Sequence, residues 1–283
     1  MRIVIVLFLW VLSSVSFAQG EDSHPWERDL QVIATMLDGT FSNANQAYFD
    51  QRVDRPHKHA RMNAVVRQLE PTIFEVSIEL DNVISEQRWQ LMPDNEKRAV
   101  RMSILTMTDN AATGCDIYWT RSAGQFQGQA LETCEPTLPT TMSLSADQLW
   151  LGRTNDPVPF QMHRARAFQC YADMPGVGGG RDIDYKRYDG FDIHDQGGEF
   201  WFIDKDGREL GASLLRVDWP INNLKGIFTR NSLVLYVNEK TEEGQKEISY
   251  TFTEASAERV GINLKWILVN CFMESNEVAI PSM

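Results

Sequence analysis

Four cysteines carry the first chemistry open to this chain of 283 residues: Cys115, Cys134, Cys170 and Cys271. A thiolate can attack an electrophile, ligate a metal or oxidise to a disulfide, and spacing helps to separate these uses. No two of the four stand in a C-x-x-C spacing, which disfavours a structural zinc site. Cys115 and Cys134 instead bracket two β-rich runs, around Ile117-Tyr118-Trp119-Thr120 and Phe126, joined by Ser122-Ala123-Gly124. That pattern predicts a β-hairpin closed by a disulfide, and a thiol so tied is no nucleophile. Four cysteines allow three pairings; Cys115 with Cys134 and Cys170 with Cys271 is favoured, with four buried free thiols as the alternative.

Other groups with chemical capacity have plainer accounts. His57 and His59 share a strand face at two-residue spacing, without a third metal ligand nearby. His194 lies in Asp192-Ile193-His194-Asp195-Gln196-Gly197-Gly198, a polar segment that turn formation explains. Asp204-Lys205-Asp206-Gly207 starts like a calcium loop but lacks the closing acidic ligand, so it reads as a hairpin turn. Gly176 to Gly180 has neither the Lys-Ser/Thr of a phosphate loop nor a strand-to-helix context, so it reads as a connector.

The elements that must position such groups are mostly strands. Leu30, Ile33, Ala34 and Leu37 recur at helical spacing between Trp26 and Leu37, and Gly39 follows as a stop. Strands are expected over about 58–69, 72–80, 86–92, 98–107, 115–121, 126–134, 140–145, 158–172, 199–204, 209–218, 227–238, 247–254 and 260–272. In 72–80, Phe74, Val76, Ile78 and Leu80 alternate with Glu75, Ser77 and Glu79, so one face is core and the other is wet or lines a polar cavity. Many short strands with little helix indicate a barrel or sandwich.

Residues 1–18 combine Arg2, an apolar run from Ile3 to Leu12 and Ser16-Phe17-Ala18, the pattern of a secretory signal cleaved near Ala18. The run is too short to span a bilayer, so no membrane span is expected after cleavage. Export to a periplasmic or extracellular compartment agrees with reading the cysteines as disulfides. The net charge of −12 repels phosphate backbones and argues against nucleic-acid binding.

Gly39-Thr40-Phe41-Ser42-Asn43, then Gln46-Ala47, Gly114-Cys115, Phe126-x-Gly128 and Cys134, in that order, are similar to the CpcT/CpeT family of phycobiliprotein chromophore lyases. The resemblance covers roughly residues 28 to 172. It implies a lipocalin-like antiparallel barrel that attaches an open-chain tetrapyrrole to a cysteine of an acceptor protein. It departs at Leu149-Trp150-Leu151-Gly152-Arg153-Thr154-Asn155-Asp156-Pro157, in export, and in the residues beyond 175 that short family members lack. The expected organisation is a signal over 1–18, a barrel over 26–174 and a C-terminal β extension over 181–275, packed on the barrel or continuing it.

A lyase of this kind chiefly holds its ligand and guides a proton, so aromatic walls, cations for propionates and a carboxylic acid are expected. Glu75, in mid-strand, is the candidate proton donor; the resemblance points to Ser42, Asn43 and Gln46 as ligand-binding, and Arg101, on a strand with an opposite apolar face, joins Trp119, Phe126 and Glu132 as the further candidates. No resident cofactor or metal is implied; a linear tetrapyrrole is substrate or ligand, and a cysteine-bearing protein is the partner. The rival reading is a non-catalytic exported carrier of a small apolar or tetrapyrrole ligand. A third, a structural protein, follows if side chains fill the barrel.

Overall fold

The computed structural model describes residues 24–52, 56–107, 111–175, 184–223 and 226–274. The expected signal segment and the glycine-rich stretch 176–180 lie outside the described residues.

Pro25 opens the first helix, α1 (Pro25–Leu37), where its missing N–H costs nothing, and the helix buries Ile33, Ala34 and Leu37. Gly39 then turns the chain into β1 (Gly39–Ser42) at φ +142°, with Arg164 packed where a side chain would stand. The Arg164 guanidinium donates to the Met36 and Asp38 carbonyls at the helix C-terminus, where a cation complements the helix dipole. A second helix, α2 (Ala44–Arg52), follows β1 directly.

Nine further strands then meander: β2 (Met62–Glu70), β3 (Ile73–Leu80), β4 (Val83–Asp94), β5 (Ala99–Thr106), β6 (Ala112–Ser122), β7 (Gln125–Ala130), β8 (Thr141–Leu144), β9 (Gln148–Gly152) and β10 (Phe160–Arg164). Each is antiparallel to the last, and β1 pairs with both β2 and β10, which closes a ten-stranded barrel without a free edge. The mainly β, antiparallel-barrel class read from the sequence is the architecture observed.

The single strand expected over 158–172 is two. It breaks at Ala165-Arg166, and β11 (Ala167–Pro175) leaves the barrel to pair with β12 (Tyr185–His194) and β18 (Leu268–Met273). These strands and β17 (Arg259–Asn263) make one four-stranded sheet, and β13 (Gln196–Ile203), β14 (Glu209–Asn223), β15 (Gly226–Thr241) and β16 (Gly244–Glu254) make another. Phe168, Ala172, Val269 and Cys271 of the first sheet share a core with Phe200, Leu214, Leu235 and Val237 of the second. The C-terminal strands are thus a sandwich with its own core beside the barrel. The strand expected over 260–272 likewise splits, into β17 and β18.

Both favoured disulfides are formed. Cys115 bonds Cys134, and Cys170 bonds Cys271, its cross-strand partner in the β11–β18 ladder. The two bodies meet where α2 packs on β14: Tyr48 and Phe49 set their ring edges on Trp219, and the Asn45 side chain exchanges two hydrogen bonds with Asp218. Arg61, at the foot of β2, reaches across to donate to the Gln196 and Gly197 carbonyls.

Candidate functional site

The barrel interior is filled at one end and hollow at the other. Helix α1 lies across the filled end, inserting Ile33 and Leu37 among Phe41, Phe74, Trp89, Trp119 and Phe126, all fully buried. Trp26 donates to Asn95 and Arg121 pairs with Asp29 at 2.7 Å, pinning the helix to the β4–β5 turn and to the end of the neighbouring strand β6. At the other end a cavity of about 730 Å³ opens, within the roughly 300–1,000 Å³ of small-molecule sites.

The hollow arises from residue size along the strands. From floor to mouth, the inward positions of β4 read Leu91, Trp89, Gln87, Ser85 and Val83: two bulky apolar residues, then an amide, a hydroxyl and a short aliphatic. Ile78 and Leu80 of β3, Leu151 of β9 and Phe160 of β10 supply apolar walls, and Thr106 and Thr113 add hydroxyls. Gln87 is not a loose amide, because its Oε1 accepts from Trp89 Nε1 at 3.1 Å and joins wall to floor.

The loop between β7 and β8 completes the mouth. Glu135, Thr137, Leu138 and Pro139 line the cavity, and the Cys115–Cys134 disulfide ties this loop to β6. Among the described residues the charged groups at the mouth are Asp81, Glu135 and Arg153, while Glu86, between the inward Ser85 and Gln87, leaves from the outer face. Arg153 is engaged by Asp156, with Nε to Oδ2 at 2.7 Å, and stacks over Phe160 at 5.0 Å. Among the described residues no cation pairs with Asp81 or Glu135.

The residues singled out from the sequence fall into three places. Trp119 and Phe126 point into the barrel but form its floor beneath the cavity. Gly128 faces Trp119 across the β6–β7 ladder, and a Cβ there would stand 3.0 Å from the indole, so Phe126-x-Gly128 serves ring packing. Trp119 Nε1 is buried without a hydrogen-bond partner in the described structure.

Ser42, Asn43 and Gln46 form a buried polar corner where β1 becomes α2. Ser42 Oγ accepts from Ala44 N, Asn43 accepts from Met62 N at 2.7 Å and donates to the Ala60 carbonyl, and Gln46 bridges Pro159 O and Gln161 N. All three satisfy backbone groups, and none lines the cavity. Glu75 and Arg101 leave from the outer wall, Glu75 3.8 Å from Arg67 and Arg101 3.7 Å from Asp116. Glu132 is exposed in the stapled loop, two residues from Cys134. The sequence signal for the cavity was the decline in bulk from Trp89 through Gln87 and Ser85, which hydrophobic alternation alone does not reveal.

Two histidines outside the barrel interior are structural. His59 bridges Asp50, 2.5 Å away at Nδ1, and the Val158 carbonyl, rather than standing on a strand. His194 Nδ1 accepts from Gln196 N, and burial, reinforced by the nearby Arg61 charge, pushes its pKa down to about 4.

No protein-family model matches the chain, and comparison with curated proteins by sequence finds no match. Among solved structures, 48% of the chain is similar to the T-type phycobiliprotein lyase CpeT from Prochlorococcus phage P-HM1, covering 96% of that chain at 15% identity with a TM-score of 0.34. A second similarity, to the S. cerevisiae core factor, covers 87% of this chain and 59% of that one at 8% identity with a TM-score of 0.18.

Proposed function

We propose that the barrel is a binding cup for an elongated, largely apolar small molecule, which enters through the open mouth. The observation that carries this reading is the cavity itself: a barrel of this size can fill with side chains, and this one is filled only at the end plugged by α1. Export fits the two disulfides, and among the described residues no helix is long and apolar enough to cross a membrane.

The sequence resemblance supports an open-chain tetrapyrrole as the ligand class, either carried or joined to a cysteine of an acceptor protein. Joining has one structural feature in its favour. Addition of a thiol across a double bond transfers a proton from sulfur to carbon, and Glu135 stands at the mouth, where an acceptor cysteine would approach. Glu75, on the outer wall, would serve only a ligand held outside.

The test is titration of the signal-free protein with the neutral dye Nile red, then with biliverdin and phycocyanobilin, beside Ile78→Trp, which puts an indole into the cavity from the inward face of β3. Saturable dye fluorescence that Ile78→Trp abolishes is expected; dye binding indifferent to that substitution overturns the cup. A saturable red shift of bilin absorbance, lost in Ile78→Trp, supports the tetrapyrrole, and its absence removes that ligand while leaving the cup. Arg101→Ala reports on the outer wall: a bilin shift lost in this variant and kept in Ile78→Trp places the ligand outside the barrel.

A further inference from the structure

A second cavity, of about 400 Å³, opens in the sandwich between the edge strands β16 and β17, each of which pairs with one neighbour only. Its lining, unlike that of the barrel, is rich in hydrogen-bonding groups. Arg259, Gly261 and Asn263 alternate onto one face of β17, and Thr251 and Thr253 add hydroxyls from β16. Arg259 is the one charged residue in this lining. Its guanidinium lies 4.9 Å over the Phe272 ring, and among the described residues no carboxylate pairs with it. Asn270 joins from β18. It is only 8% exposed, yet its amide has no hydrogen-bond partner among the described residues. A buried amide keeps donor and acceptor unspent at a cost unless something outside the chain meets them. Its cross-strand partner Gly261 makes room for it, because a Cβ there would collide with Asn270 Oδ1. Asn263 Oδ1 accepts from Lys265 N, which leaves its amide nitrogen to donate.

The geometry points to a second ligand site here, one that takes a sugar acid: a hydroxyl-rich ring whose carboxylate pairs with Arg259 while its hydroxyls bond Asn270, Asn263 and the two threonines. A guanidinium meets a carboxylate through two parallel hydrogen bonds, and a carboxamide, with donor and acceptor in one plane, suits neighbouring hydroxyls. A neutral sugar would leave the cation unmatched, and an apolar ligand would cover the Asn270 amide without satisfying it. The site is separate from the barrel cup, and neither depends on the other. Because Arg259 is open to solvent, its preference for the carboxylate is moderate and sensitive to salt.

The test is titration of the signal-free protein, followed by heteronuclear NMR, with galacturonate, galactose and acetate, and then with trigalacturonate. Galacturonate is expected to bind roughly tenfold tighter than galactose or acetate at low salt, with the advantage over galactose shrinking as salt rises. Arg259→Gln is expected to bring galacturonate down to the level of galactose, and Asn270→Ala to weaken both sugars about tenfold. Since the Asn270 side chain bonds nothing else among the described residues, its removal is expected to leave the fold intact, which the urea midpoint checks. Nile red binding is expected to be unchanged in both variants and galacturonate binding unchanged in Ile78→Trp, so failure of the cup and failure of this site read separately. Galacturonate binding no tighter than galactose or acetate, binding that survives both Arg259→Gln and Asn270→Ala, or no binding of any probe overturns the sugar acid. Where galacturonate binds as expected, tighter binding of trigalacturonate assigns the site to a residue of a chain, and equal or weaker binding to the free sugar.

Discussion

Trp119 occupies the barrel floor because its cross-strand partner has no side chain: a Cβ on Gly128 would meet Ile117 at 2.7 Å and the indole at 3.0 Å. Gly128→Ala is therefore expected to lower stability by about 1–3 kcal/mol, read as a drop in urea midpoint at constant slope. Asn43 offers a contrasting residue, with a fully buried amide joined to Met62 N, Ala60 O and Gln46. Its removal strands buried backbone groups, so Asn43→Ala should cost roughly 2–3 kcal/mol. His194 yields a pH prediction. Its folded pKa of about 4 lies below the unfolded value near 6.5, so between these limits the unfolded chain binds the extra proton. The stability from keeping it neutral is full above about 6.5 and lost as pH falls toward 4, on the order of 3 kcal/mol in all. Urea midpoints from pH 7 to 4 should fall more steeply for the unaltered protein than for His194→Gln. The residue types at these positions were visible in the sequence. Whether Ser42, Asn43 and Gln46 face a ligand or the backbone was not, because short polar side chains serve both and only the fold decides their neighbours.

At the scale of elements, α1 was legible because Leu30, Ile33, Ala34 and Leu37 repeat at helical spacing and Gly39 ends them. Helix α2 was not, since its buried residues are Ala44, Ala47 and Asp50 and no apolar stripe marks it. Its place is set by tertiary contacts of Asn45, Tyr48 and Phe49 with β14. Strand β12 escaped notice for a related reason: Tyr185-Lys186-Arg187-Tyr188-Asp189-Gly190 reads as a polar loop, yet Tyr188 and Phe191 stack on Phe202 and Phe200. The loop bearing Glu135 and Leu138 depends on the Cys115–Cys134 bond, which closes a separation of 19 residues. Replacing both cysteines by alanine is expected to cost about 3 kcal/mol and to weaken Nile red binding while β-rich circular dichroism persists. Unchanged dye affinity would show that the loop holds its place without the staple.

On the scale of the whole molecule, two cores lie side by side, and each disulfide stays within one of them. Among the described residues the bodies meet through Arg61 on the Gln196 and Gly197 carbonyls, Asn45 with Asp218, α2 against Trp219, and the contacts of His163 with Asp218 and of the Arg216 guanidinium with Asp147. Trp219→Ala removes the apolar centre of that interface, so calorimetry is expected to resolve one unfolding transition into two, whereas a single transition would show coupling by other contacts. Period-two alternation and the cysteine-flanked hairpin sufficed to set the class of this protein: antiparallel β, with the Cys115–Cys134 bond between residues near in sequence. These are local features, and local sequence carries them. Closure of ten strands by β1 with β10, departure of β11 into a sandwich, and a cavity left above Trp89 and Trp119 all depend on partners more than a hundred residues apart or on volumes summed over many strands. Alternation says which face turns inward, but not how large the enclosed space is or whether it fills, and that quantity exists only once the barrel has closed.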